Sequence, residues 1–188
     1  LEEDGTSEDS TEVEGGGEAT GAQSIPPEIL KRGSEDEALT SRRGKEIYMK
    51  AAPGGGLCFT CHQPTGLGLP KAHFPPLAGS ERVLGDKEIL IKIMMHGLMG
   101  PAKVNGKEFG PVPMPPPGIP PGSLTDQQIA DVLTYVRNAW GNLASAVTPT
   151  EVAAVRKSVK SRARMQMWTV AELEKADLEP KDTQNSDN

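Results

Sequence analysis

Apolar positions recur at helical spacing in several segments of the chain. Ile129, Val132, Leu133, Val136 and Trp140 fall three and four residues apart, which puts them on one face of a helix. This helix opens at Leu124-Thr125-Asp126-Gln127-Gln128 and closes at Trp140-Gly141. Thr125 stands at the N-cap and Gln128 at the capping-box position. A second helix spans about Asp86 to His96, with Ile89, Leu90 and Ile93 on one face and Gly97 as its stop. Another, earlier in the chain, covers about Ala38 to Lys50 and turns Ile47 and Tyr48 inward. Gly44 weakens it, and Pro53 with Gly54-Gly55-Gly56 ends it. Thr148-Pro149-Thr150-Glu151 starts a further helix, about 149–159, with Pro149 suited to its first turn. Trp168 and residues 169–175 form a last short helical turn packed back on the body. The segments between are loops. Residues 100–122 are the longest of them, and seven of the eleven positions 111–121 are proline, which favours a stiff, extended path. No run alternates with strand period, so the pattern predicts an all-α chain with long loops.

The ends differ from the middle. Residues 1–24 are Glu, Gly, Ser and Thr with almost no apolar side chains. They cannot bury enough surface to offset their ordering entropy and read as a disordered tail. Residues 25–37 are transitional, with Ile25, Ile29 and Leu30 as a short apolar patch that could pack on the body. Residues 180–188 are polar and read as frayed. The division is therefore 1–37 acidic flexible tail or tether, 38–147 folded domain, and 148–188 a C-terminal extension of short helix plus polar tail.

Charge follows the same division. The chain of 188 residues carries a net charge of −6, but residues 1–20 hold eight acids and no base, whereas residues 40–147 hold eleven bases against seven acids. An acidic arm on a mildly basic body argues against nucleic acid as a partner. No apolar run approaches the ~20 residues of a membrane span. No basic stretch followed by an apolar one opens the sequence, so a secretory signal is either absent or already removed. Two cysteines allow at most one disulfide, which excludes a disulfide scaffold.

Those two cysteines sit in Cys58-Phe59-Thr60-Cys61-His62, a C-x-x-C-H sequence. This is the attachment pattern of c-type haem. Two thiols three residues apart can reach two vinyl groups of one porphyrin, and the next residue, His62, then offers an imidazole as axial ligand. Covalent attachment holds the group without a large cavity, which suits a chain with only seven aromatic residues. A zinc site would want four ligands, and only His73 and His96 could join the cysteines. A thioredoxin-type redox pair would need a βαβ context, absent from these Gly- and Pro-rich surroundings.

The second axial ligand has several candidates. Met94 and Met95 lie in the apolar helix ILIKIMMHGL and read as core filler. Met99 follows a helix end. His96 suits a helix C-terminus through the dipole, and His73 in KAHFPP reads as a loop residue near the haem rim. Met114 lies in GPVPMPPPG, where flanking prolines can hold a soft sulfur at a fixed place with little loss of loop entropy. It is the preferred ligand, with Met99, a histidine or an open site as alternatives.

Residues 40–147 resemble class I cytochromes c, small helical mono-haem proteins. The resemblance rests on RGKEIYMKAAPGGGLCFTCHQPTGLGLP, FPPLAGS, MMHGL, VNGKEFGPVPMPPP and LTDQQIADVLTYVRNAWGN. The last of these stretches is most similar to the cytochrome domains that accompany quinoprotein dehydrogenases or are fused to copper nitrite reductases. Mono-haem subunits of bacterial respiratory complexes are also similar. The resemblance implies a class I cytochrome c fold, three to five helices around one covalently bound haem c. Cys58 and Cys61 would carry the thioethers, His62 would be the proximal ligand and Met114 the distal one. A carbonyl of Pro75-Pro76 would accept from the other ring nitrogen of His62, and Pro76 is counted among the cofactor-binding residues. Tyr135 and Trp140 would pack the C-terminal helix against the first helix, with Gly44 allowing close approach. Arg82 stands where an aromatic is expected; it either pairs with a haem propionate or is a solvated surface residue.

The function so implied is single-electron transfer, as a carrier or as a subunit of a respiratory or dehydrogenase complex, with no catalysis of its own. Partners would be redox proteins, including subunits of a membrane complex, with an upstream anchor or a partner subunit as the route to a membrane. Lys71, Lys103 and Lys107 are candidates for a docking rim, although each alone reads as an ordinary solvated lysine. The location implied is the periplasm or the outer face of the cytoplasmic membrane. Two other readings compete. One is a five-coordinate haem enzyme or gas sensor, which requires that Met114 not bind. The other is a mainly structural haem subunit, suggested by the basic run Arg156 to Arg164 and the apolar Met165, Met167 and Trp168.

Overall fold

The computed structural model describes residues 27–51 and 53–178, with side chains described from Glu37 to Lys175. The expected disordered arm at 1–24, Ile25 and the frayed end at 180–188 lie outside the described residues, as do the side chains of Ile29 and Leu30. Seven helices form among the described residues: α1 Pro27–Met49, α2 Cys58–His62, α3 Glu81–Leu84, α4 Lys87–His96, α5 Asp126–Asn138, α6 Pro149–Ser158 and α7 Val170–Leu178. The two beyond the expected five are the single turns α2 and α3. The first helix begins at Pro27 rather than near Ala38. Pro27 suits a first turn, and Gly33 alone does not break the helix.

Four short strands depart from the strandless expectation: β1 Leu98–Met99, β2 Ala102–Val104, β3 Lys107–Phe109 and β4 Trp168–Thr169. At two or three residues each they are too short to show a period. β2 and β3 pair antiparallel through Asn105-Gly106, both at positive φ (50° and 73°), the geometry of a tight hairpin turn. β1 and β4 pair in parallel across a long sequence separation.

Caps fix the major helices. Thr125 accepts from the Gln128 N–H while the Gln128 side chain accepts from the Thr125 N–H, and Thr148 and Glu151 repeat the arrangement on α6. Asp86 accepts from the Glu88 N–H at 2.6 Å to start α4. α5 ends at Asn138, ahead of the expected Trp140, which adopts φ 56° beyond the helix.

The core lies between α1, α4, α5 and α6. α1 and α5 pack at Gly44, where a Cβ would overlap the Asp131 carbonyl and the Tyr135 side chain. Beside that contact, the Arg43 guanidinium donates to both oxygens of the buried Asp131 carboxylate, at 2.8 and 3.1 Å. Tyr48, Tyr135 and Trp140 form an aromatic cluster with centroids 5.3–5.6 Å apart, an edge-to-face range that adds to simple burial. The Trp140 indole N–H donates to the Pro64 carbonyl at 3.0 Å. This ties the end of α5 to the loop that follows α2.

Candidate functional site

One turn of helix, α2, carries Cys58, Cys61 and His62. At three- and four-residue spacing the three side chains share a face. The turn is held by Gly56 N–H donating to the Ile47 carbonyl (2.8 Å) and Leu57 N–H to the Lys50 carbonyl (3.2 Å). The C-x-x-C-H sequence is thus fastened to the end of α1. Both thiols are free. Burial pushes the Cys58 thiol up to about 12 and raises Cys61 as well, so both are protonated and quiet in the bare chain.

His62 is 7% exposed. Its Nδ1–H donates to the Pro75 carbonyl at 2.9 Å. A carbonyl can only accept, so the proton is on Nδ1 and the lone pair is on Nε2. Burial lowers the pKa of the ring, opposed by the Pro75 bond, and the imidazole is neutral and able to ligate. Of the Pro75-Pro76 pair the acceptor is Pro75, and Pro76 lines an inner chamber of the site. Asn142, buried and unforeseen from the sequence, fixes their loop: its amide donates to the Leu77 carbonyl (3.1 Å) and its oxygen accepts from Gly79 N–H (2.8 Å).

Two cavities meet at these residues. An inner chamber of about 110 Å³ is walled by Tyr48, Val83, Leu90, Ile93, Leu133 and others, and an outer cleft of about 410 Å³ is walled by Cys61, Phe109, Val112 and the proline loop. Cys58, His62, Pro75, Leu98 and Met114 border both. Met114 borders both cavities from the proline loop. Its backbone exchanges both hydrogen bonds with Leu98, at 2.8 and 2.9 Å.

The other ligand candidates are placed differently. Met99 is 47% exposed and borders neither cavity. Met94 and Met95 are buried core residues, of which Met94 touches the inner chamber. His73 is exposed at the mouth of the cleft. His96 is buried away from it, with Nδ1 3.1 Å from the Ala163 carbonyl and its pKa lowered by burial. It does stand at the C-terminal end of α4, as expected, but buried rather than facing solvent. Lys71, Lys103 and Lys107 are exposed and border neither cavity.

Arg82 borders the inner chamber, and its Nε is buried with no hydrogen-bond partner. Leaving a charged donor without an acceptor costs about 1–3 kcal/mol or more, so the site calls for an anion there. Buried Arg137 holds the helix that carries Arg82, donating through Nη1 to the Val83 and Gly85 carbonyls at 2.6 and 2.9 Å. Tyr48, fully buried, donates to the Gln63 carbonyl at 2.7 Å just past α2. The donor set is two thiols, a neutral imidazole, a thioether and a guanidinium whose buried Nε lacks a partner, around an apolar cleft. It fits a porphyrin with anionic substituents. Among the described residues no group of three or more His, Cys, Asp or Glu is arranged to hold a metal, which leaves the zinc alternative without a second ligand pair.

Residues 41–140 match the family model described as Cytochrome c. The chain belongs to the cytochrome c family. It is 35% identical over 109 residues to cytochrome c-552 of Thermus thermophilus, covering 56% of this chain and 65% of that protein. It is 34% identical over 115 residues to the cytochrome c subunit of the alcohol dehydrogenase (quinone) of Gluconacetobacter polyoxogenes, covering 60% of this chain and 22% of that one. With the fructose dehydrogenase cytochrome subunit of Gluconobacter japonicus the identity is 29% over 134 residues, 64% of this chain and 25% of the other. The chain thus spans about two-thirds of the Thermus protein and about a quarter or less of the dehydrogenase subunits. Its fold, mostly helical with a few short strands, is that of class I, and membership of the family implies covalently bound haem c.

Proposed function

We propose that Cys58 and Cys61 hold the haem by thioethers, that His62 Nε2 and Met114 are its axial ligands, and that the chain passes single electrons without catalysing a turnover of its own. When bound, the haem supplies one-electron chemistry at iron, and a thioether opposite an imidazole favours the ferrous state. The observation that carries the reading is that Cys58 and His62 of α2 and Met114 of the proline loop all border both cavities. The protein's part is orientation and exclusion of water. The Pro75 carbonyl sets the His62 ring, the proline loop presents Met114, and Arg82 offers its unpaired Nε–H to a propionate. The periplasm or the outer face of the cytoplasmic membrane is the proposed location. No helix of the described residues is long and apolar enough to cross a membrane.

Likeness to dehydrogenase cytochrome subunits supports redox proteins as partners, a dehydrogenase or respiratory complex among them. Val112 and Ile119, exposed at the mouth of the cleft, offer a small apolar face, and exposed Lys71, Lys103 and Lys107 suit a salt-sensitive encounter with an acidic surface. Carbon monoxide tests the carrier reading against an open-site enzyme or sensor. The reduced wild type is expected to bind the gas poorly and Met114→Ala to bind it readily. Ready binding by the wild type would overturn six-coordination.

A further inference from the structure

Met114 sits in Pro113-Met114-Pro115-Pro116-Pro117, so its own N–H is the only backbone donor in five residues. That donor is spent on the Leu98 carbonyl at 2.8 Å, and the Leu98 N–H returns a bond to the Met114 carbonyl at 2.9 Å. The hydrogen bonds of this run to β1, a strand only two residues long, are thus made at one residue pair. Gly97, at φ 80°, lets the two backbones close: a Cβ there would run into the Met114 carbonyl.

The outer edge of β1 is covered by the C-terminal extension. Trp168 and Thr169 pair with Leu98 and Met99, and Trp168 N–H donates to the Gly97 carbonyl at 3.1 Å. The Trp168 ring is itself gripped. The Arg162 guanidinium lies 3.5 Å from its centroid, Lys92 Nζ 5.8 Å away, and the His96 ring meets it edge-on at 6.3 Å. Arg162 in turn donates to the Gln166 and Met167 carbonyls, both at 2.8 Å, and pairs with Glu172. A continuous backbone ladder therefore runs from Trp168 through Gly97-Leu98 to Met114.

We propose that Trp168, with Arg162 stacked on it, is a positioning element for Met114, holding β1 so that the proline loop keeps its sulfur in the cleft. This rests on Met114 being the distal ligand. Loosening the ladder should raise the population of Met-off haem and let an added ligand in, since apparent affinity scales with the competent fraction.

The test is imidazole binding to the ferric holoprotein, full chain, followed by loss of the long-wavelength sulfur-to-iron band. Trp168→Ala is expected to bind imidazole about tenfold more tightly than wild type, and Arg162→Gln about two- to threefold. Trp168→Phe, which keeps a ring under Arg162, should lie near wild type. Thr125→Ala, which removes a helix cap outside the ladder, should leave imidazole affinity unchanged and so separates positioning from general destabilisation. Folded Trp168→Ala and Arg162→Gln proteins with wild-type affinity would overturn the proposal, as would an equal gain in Thr125→Ala. If Trp168→Ala does not fold, Arg162→Gln decides. Met114→Ala separates the two levels. If it keeps the band, the ligand assignment fails and the positioning proposal with it. If it loses the band while the Arg162 and Trp168 variants stay at wild-type affinity, positioning alone fails.

Discussion

A single carbonyl decides what His62 can do. With Nδ1–H spent on Pro75, only Nε2 remains to ligate, and the bond fixes ring orientation and raises basicity. Spacing made Cys58, Cys61 and His62 legible in the sequence, because three functional groups on one helical turn are a local matter. The proline cage singled out Met114, which the structure places at the border of both cavities. Pro75 over Pro76, and the parts played by Tyr48, Leu98 and Asn142, were not legible, because each depends on contacts between distant segments. Arg82 left two readings open from sequence. Its orphaned Nε on the cavity wall favours the propionate partner. Removing that cation should favour ferric iron, so Arg82→Gln is expected to lower the reduction potential by on the order of tens of millivolts. A spectroelectrochemical titration measures this, and an unchanged potential would return Arg82 to the role of a surface residue.

Helices with capped ends and long apolar faces were readable from pattern: α4, α5 and α6 start at Asp86, Thr125 and Thr148 as their side chains dictate. The single turns α2 and α3 were not, since so short a helix does not repay its own nucleation and exists only by tertiary support. The β2–β3 hairpin did carry a signal, Asn105-Gly106 between apolar positions, which the absence of any strand-length alternation obscured. The α1–α5 contact gives a prediction in which two effects oppose. Helix propensity alone would make Gly44→Ala stabilising by up to about 1 kcal/mol. The overlap with the Asp131 carbonyl and Tyr135 instead forces the helices apart, at about 1–3 kcal/mol. Denaturant titration of the holoprotein should therefore show a net loss of stability. A gain would mean that the helices can shift at no cost.

Across the whole molecule, two ion pairs tie the extension after Thr148 to the body, Lys87 with Glu151 (2.9 Å) and Arg156 with Asp126 (2.7 Å), and Arg162 with Glu172 (3.1 Å) braces the extension internally. Hydrogen bonds from Thr169 and Arg162 hold Glu172 below its ordinary value of 4.5. Burial acts against the same shift at Glu151, but bonds from Lys87 and Thr148 prevail and lower it too. Carboxylates depressed in the folded state stabilise it above their unfolded value and lose that contribution as pH falls through the folded value. Below pH 4.5 the extension should therefore loosen first, seen as faster amide exchange in α6 and α7 than in α5. Simultaneous loss of protection in all three would show that the pairs carry no such role. The account as a whole stands on the face shared by Cys58, Cys61 and His62. The intact mass of the denatured protein, after expression with the cytochrome c maturation machinery, tests it most directly. The mass should exceed that of the chain by one haem and return to the bare value when Cys58 and Cys61 are both replaced by serine; a wild-type protein at the bare mass would contradict it.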